Sequence, residues 1–247
     1  MKDLGEAAYV LGIKIYRDRS RRLIALSQNT YLDKVLKKFK MEQSKKVFLL
    51  VLQGIKLSKT QCLVTAEDRE KMSVAPYASP IGSIMYAMLC TRPDVSLAKS
   101  MAGRFQSDPG VEHWPTVKNI LKYLKTTKEM FLIYGGDEEL VVKGYVDASL
   151  DTDPDDSKSQ NRYVFILNGG AVSWCSSKQS VVADSTCEAE YTTASEVAKE
   201  GIWMKQFMSD LGVLPSALDP INLFYDNTGA IALAKEPRFH KRTRHIK

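Results

Sequence analysis

Cysteine and histidine are scarce: the 247 residues hold four and three of them. Cys62, Cys90, Cys175 and Cys187 lie far apart with no CxxC pair, which speaks against a zinc ribbon or a disulfide framework. They read as reduced thiols of an intracellular protein. His240 and His245 have no cysteine nearby and read as facing phosphate or solvent rather than zinc. Long apolar runs are missing too, and none approaches the roughly 20 residues that a membrane-spanning helix needs. The opening MKDLGEAAYV carries acids early and no long apolar core, unlike a secretory signal. There is no GxGxxG and no P-loop, so a dinucleotide or nucleotide-triphosphate cradle is not expected. Ser173, Ser176 and Ser180 have no neighbouring histidine to act as a base, which argues against a nucleophilic serine. Internal repeats and low-complexity tracts are also absent.

What is present is an ordinary globular composition, 44% hydrophobic and 26% charged, with enough chain for one large or two small domains. The net charge of +6 is unevenly spread. Residues 1–60 carry 14 Lys/Arg against 5 Asp/Glu, a net of +9, which leaves −3 for the rest. A basic front half suits a phosphate backbone, although a solvated basic face has the same composition.

The pattern predicts a β-hairpin from 9–15 (YVLGIKI) and 23–27 (LIALS) around the charged turn RDRSRR. A helix is expected over about 30–40, with Tyr31, Leu32, Val35, Leu36 and Phe39 on one face and Lys34, Lys37 and Lys38 on the other. Residues 41–64 are poorly patterned. Thr65 and Asp68 form a capping-box pattern. Helical stretches then cover 81–89, 93–105 and 112–126, which makes a small helical subdomain of about 65–130. After 136 the period changes. Strands are expected at 140–148, 162–167 and 171–175, with Asn168-Gly169-Gly170 as a tight turn. A long helix over 185–211, ended by Gly212 and Pro215, precedes a strand at 221–225 and a short helix to 234. This order implies an α/β layer with helices packed on a mixed sheet. Trp114, Trp174 and Trp203 read as core anchors.

The stretch GYVDASLDTDPDD holds five aspartates. Asp151, Asp153, Asp155 and Asp156 surround Pro154 and read as a solvated turn. Asp147 still belongs to the strand, where a carboxylate needs neutralising. Glu190 stands in the first turns of the long helix, and Asp226 follows the last strand. If the first and last strands are neighbours and the helix start crosses them, three carboxylates converge. Mg²⁺, a hard cation with oxygen ligands, would relieve their repulsion, and two such ions suit phosphodiester cleavage. On spacing alone, ordinary surface acids remain the commoner explanation.

GYVDAS, DPDDSKSQNRYVFILNGGAVSWCSSKQSVVADSTCEAEY, LFYDNTGAIALAKEP and HKRTRHI resemble the ribonuclease H domain of copia-type retrotransposon Pol polyproteins. MKDLGEAAYVLGIKIYRDRSRRLIALSQNTYLDKVLKKF resembles the end of the reverse transcriptase palm. IGSIMYAMLCTRPDVSLAKSMAGRFQSDPGVEHW and VKNILKYLK resemble the helical thumb/connection region. The resemblance implies two parts: 1–135, the palm end with the helical region, and 136–247, a ribonuclease H-like α/β domain with a mixed sheet.

It further implies hydrolysis of the RNA strand of RNA–DNA hybrids with two Mg²⁺ (or Mn²⁺) ions on Asp147, Glu190 and Asp226. Glu188 is left as a helix N-terminal charge. Lys34, Lys37, Lys38, Lys178 and Arg242 become candidate nucleic-acid contacts. The implied partners are the hybrid and the rest of the Pol polyprotein, with no membrane. The implied setting is the cytoplasm, in a virus-like particle, or the nucleus. The chain departs from the family's pattern in four respects. The Tyr-x-Asp-Asp polymerase motif is absent, so DNA synthesis by this chain alone is not expected. Ser149 stands where the family often has a second Asp, and Asn161-Arg162 replaces Ser-Gly. The family pattern runs past Lys247 into a last helix that often carries a fourth acid. The alternative reading is a non-catalytic nucleic-acid-binding remnant.

Overall fold

The computed structural model describes residues 5–50, 56–63, 65–135, 140–150, 152–212 and 219–235. Arg242, the basic run 240–244, His240, His245, Pro215 and Asp151 lie outside these residues. The chain divides into two compact units, Met1–Gly136 and Asp137–Lys247.

In the first unit, strands β1 (Tyr9–Val10), β2 (Ile13–Asp18) and β3 (Leu23–Ser27) form an antiparallel meander. The expected strand over 9–15 is broken, because Leu11 and Gly12 both take positive φ, 50° and 77°. This two-residue turn folds β1 back on β2. Helix α1 (Asn29–Lys38) follows and buries Leu32, Val35 and Leu36, as its spacing predicts. Helix α2 (Ala66–Ser73) starts at Thr65, whose side chain accepts the Asp68 N–H. Helices α3 (Ala78–Thr91), α4 (Ser96–Gly103) and α5 (Trp114–Thr126) come next, the last two each entered through a 3₁₀ turn. Ile81, Ile84, Val117, Ile120 and Leu124 join the α1 residues in one core. One element was not expected: β4 (Leu132–Tyr134) pairs antiparallel with β3 and completes a four-stranded sheet. At three residues it is too short to show a period, and only its partner defines it.

In the second unit, β5 (Val142–Ser149), β6 (Gln160–Leu167) and β7 (Gly170–Lys178) are antiparallel neighbours. The β6–β7 turn is Asn168-Gly169, with φ of 50° and 77°, the conformation this dipeptide favours. Helix α6 (Thr186–Leu211) is capped by the Ser185 side chain, which accepts the Glu188 N–H, and it ends on Gly212 at φ 63°. Strand β8 (Asn222–Phe224) pairs parallel with β5, giving the order β7-β6-β5-β8, and α7 (Thr228–Lys235) closes the described chain. Alternation along β5 buries Val142, Gly144 and Val146. With Phe165, they meet Val197, Met204 and Met208 of α6. Gly144 is required by close packing: a Cβ there would lie 2.5 Å from Leu223 Cδ2 and 2.8 Å from Phe165 Cε1.

Two expectations are corrected here. Asp153 is not solvated but 2% exposed. Its carboxylate accepts from the Asp155 N–H and from Lys178 Nζ, and so organises the turn. Trp203 is no core anchor within its unit. It is 57% exposed on the side of α6 away from Met204 and Met208, stacked on Phe207 at 5.3 Å. Among the described residues, no helix is long and apolar enough to cross a membrane.

Candidate active site

The parallel pairing of β8 with β5 sets the site. Its register matches Lys143 with Asn222, Gly144 with Leu223 and Tyr145 with Phe224. The pairing ends there; counted two residues further along each strand, the same register would set Asp147 opposite Asp226. Asp226 is exposed, and the next residue, Asn227, caps α7 by accepting the N–H groups of Gly229 and Ala230 at 3.0 and 3.1 Å. The acid is thus placed between the strand end and a helix start.

Glu190 approaches from α6. Its Oε1 accepts the backbone N–H of Ala148 at 2.9 Å, one residue from Asp147. The residue is 4% exposed. Its other carboxylate oxygen, Oε2, is buried with no hydrogen-bond partner. Burial raises the Glu190 pKa above the ordinary carboxyl value. The Ala148 hydrogen bond opposes this, the negative charges of Asp147 and Asp226 add to it, and the Arg162 charge opposes it. Asp147 and Asp226 therefore both act on Glu190 electrostatically. Burial also raises the pKa of neighbouring Tyr225, with a further push from Glu190.

The three acids do not form a closed ligand set. Among the described residues, no group of three His, Cys, Asp or Glu side chains is arranged to hold a metal ion. One of the three acids is already paired across to β6. Arg162 is the register partner of Asp147, and its Nη2 sits 2.7 Å from Asp147 Oδ2. The same nitrogen donates to Ser149 Oγ. A guanidinium this close offsets the negative charge of Asp147. In the sequence, Arg162 stands out only as a departure from the family's pattern. A charged residue directly before the apolar run Tyr163–Leu167 is the available signal.

Helix α6 is held over the strand ends by a buried polar network that spacing did not reveal. Asn161 Oδ1 accepts from Gln179 Nε2 at 2.6 Å and from Thr193 Oγ1 at 2.5 Å. Gln179 Nε2 also donates to the Ala189 carbonyl at 2.8 Å. Asn161 Nδ2 reaches Glu196 Oε2 at 2.5 Å. Ala189 and Thr193 bracket Glu190, so the network sets the height of that carboxylate. Glu188 has another role: it accepts the Asp184 N–H at 2.8 Å at the helix N-terminus.

The expected nucleic-acid contacts divide. Lys178 is paired within its own unit: its ammonium lies 2.8 Å from Asp153 and 2.9 Å from Asp156. Burial works against that charge, but the two carboxylates outweigh it and raise the Lys178 pKa. It clamps the aspartate turn. In the first unit, Lys34 and Lys37 line a groove of about 580 Å³ together with Lys46, Lys125 and Lys128, and with the acids Asp33, Glu42 and Glu129. Lys128 is paired with Asp33 at 2.8 Å, and Lys125 donates to the Ser44 carbonyl at 2.6 Å. Lys38 points elsewhere, donating to Ser79 Oγ at 2.9 Å and lying over the Phe39 ring. Arg242 lies outside the described residues.

No family model matches the chain, and no solved structure does. Curated relatives do. The retrovirus-related Pol polyprotein from transposon TNT 1-94 of Nicotiana tabacum is 44% identical over 246 residues, which is 100% of this chain and 18% of the polyprotein. The Pol polyprotein from transposon RE1 of Arabidopsis thaliana is 32% identical over 246 residues, again 100% of this chain and 16% of the relative. Secreted RxLR effector protein 161 of Plasmopara viticola is 42% identical over 135 residues, 54% of this chain and 94% of that protein. The chain thus spans less than a fifth of the length of the two polyproteins. It belongs to the retrovirus-related Pol polyproteins of copia-type transposons.

Proposed function

We propose that the second unit is a ribonuclease H-like domain that hydrolyses the RNA strand of RNA–DNA hybrids. The observation that carries this reading is Glu190. It is a buried carboxylate, tied by one oxygen to the backbone beside Asp147, with its other oxygen unpartnered and in the field of Asp147 and Asp226. A buried oxygen anion among other anions costs stability and is commonly a functional feature. All three donors are hard carboxylate oxygens, the type Mg²⁺ or Mn²⁺ takes. Asp147, Glu190 and Asp226 would hold the metal, with Arg162 on one oxygen of Asp147 as its competitor. When bound, a pair of such ions supplies an activated water and charge stabilisation at the leaving oxygen. The protein's own part is to keep the Glu190 carboxylate fixed against β5 and to hold Asp226 at the rim, where a phosphate backbone has access.

The test is Mg²⁺-dependent cleavage of a hybrid carrying a labelled RNA strand. Wild-type cleavage that falls by about two orders of magnitude or more in Asp147→Asn, with hybrid binding retained, supports the proposal. An unchanged rate in that variant defeats it.

A second reading, hybrid or single-strand binding without cleavage, draws support from the lysine groove of the first unit and the Arg162–Asp147 pair. Binding that weakens steeply with salt, in a protein that never cleaves, would favour it.

A further inference from the structure

Arg162 is not an ordinary surface cation. It stands directly across β5–β6 from Asp147, with its Nη2 2.7 Å from Asp147 Oδ2. The guanidinium also bonds Ser149 Oγ, and Asp147, Ser149 and Arg162 share one face of the sheet. Its Nε is buried without a partner, so the group is drawn in toward the acids although not all of its donors are used.

We propose that Arg162 is a built-in counter-ion that competes with divalent metal for Asp147, so that loading of the acidic cluster requires the guanidinium to leave. This rests on the metal-binding reading above. With Arg162 engaged, Asp147 offers the cluster a neutralised carboxylate, and the cluster attracts an arriving dication less strongly by one unit of negative charge. With Arg162 withdrawn, three anions face one another and a divalent ion becomes the favoured neutraliser. Arg162 is a positioning residue on this account. It sets the metal affinity and the fraction of chains able to cleave.

The experiment is a titration of the full chain with Mn²⁺, followed by loss of the free-ion electron paramagnetic resonance signal. Wild type is compared with Arg162→Gln and Arg162→Lys, and circular dichroism checks the fold of each. Arg162→Gln is expected to bind Mn²⁺ about three- to tenfold more tightly, the effect of removing one partly exposed ion pair. Arg162→Lys keeps the charge and the fold, and is expected to stay within about twofold of wild type. In EDTA, Arg162→Gln should melt below wild type, and millimolar Mg²⁺ should narrow that gap. Adding Asp147→Asn to Arg162→Gln should erase the gain in affinity. Equal Mn²⁺ affinity in wild type and Arg162→Gln overturns the competition while leaving metal binding intact. Weaker binding by Arg162→Gln also overturns it. Failure of every form to bind Mn²⁺ removes the metal-binding reading itself, and this inference with it.

Discussion

Glu190 Oε1 accepts the backbone N–H of Ala148 at 2.9 Å, so α6 is fastened to β5 one residue from Asp147. That bond fixes the orientation of the carboxylate and leaves its other oxygen to the neighbouring acids.

Glu190→Gln should stabilise the metal-free protein at neutral pH by on the order of 1 kcal/mol. Glutamine keeps the acceptor for Ala148 and replaces a buried anion with a neutral amide. The sign follows from linkage. The native pKa of Glu190 is raised above the ordinary 4.5, so the native state binds more protons than the unfolded one in the window between the two values. Wild type therefore loses stability as pH rises from about the ordinary carboxyl value through the native value, and the variant lacks that loss. Urea midpoints in EDTA below and above this window check it. A variant no more stable than wild type at pH 7 contradicts it.

Asn161→Ala should cost about 2–3 kcal/mol, because Gln179 and Thr193 lose a buried acceptor. It should also loosen α6 around Glu190. Hydrogen exchange of the Ala148 amide is the specific readout: faster exchange is expected in the variant, beyond what global destabilisation produces.

Lys178→Met should destabilise by about 3 kcal/mol, the low end for breaking a buried pair, since Lys178 is itself partly exposed. It removes the ammonium shared by Asp153 and Asp156. Hybrid affinity should change little at pH 7 once the protein is folded, because this lysine is occupied by carboxylates rather than offered to phosphate. A large loss of affinity with an unchanged melt would return Lys178 to the nucleic-acid surface.

Gly144→Ala should destabilise by about 1–3 kcal/mol or more. The added Cβ meets Leu223 at 2.5 Å and Phe165 at 2.8 Å, so the β5–β8 pairing must shift. Loss of cleavage is expected alongside the lower melt, since that pairing ends two residues before Asp147 and Asp226. Gly201→Ala serves as the contrast. Its Cβ would meet Phe165 at 3.7 Å, an ordinary contact, and it should be close to neutral.

The parts of this protein that the sequence determined by itself are those that depend on neighbours in the chain. The face of α1, the Thr65 and Ser185 caps, the Asn168-Gly169 turn and the Gly212 stop follow from local chemistry: side-chain period, capping oxygens and residues able to take positive φ. The candidate acids stand at a strand end or helix start, but their selection rested on the resemblance to the family, since spacing alone favours ordinary surface acids. What only the tertiary structure decided depends on partners distant in sequence. The three residues of β4 become a strand because β3 lies beside them, and Asp153 is buried because Lys178 reaches it. Trp203 is exposed because α6 turns another face to the sheet. The state of the acidic cluster belongs to this second group. Local chemistry placed a carboxylate at position 147, but strand register put Arg162 across from it, and an ion pair at 2.7 Å is set by that register rather than by spacing along the chain.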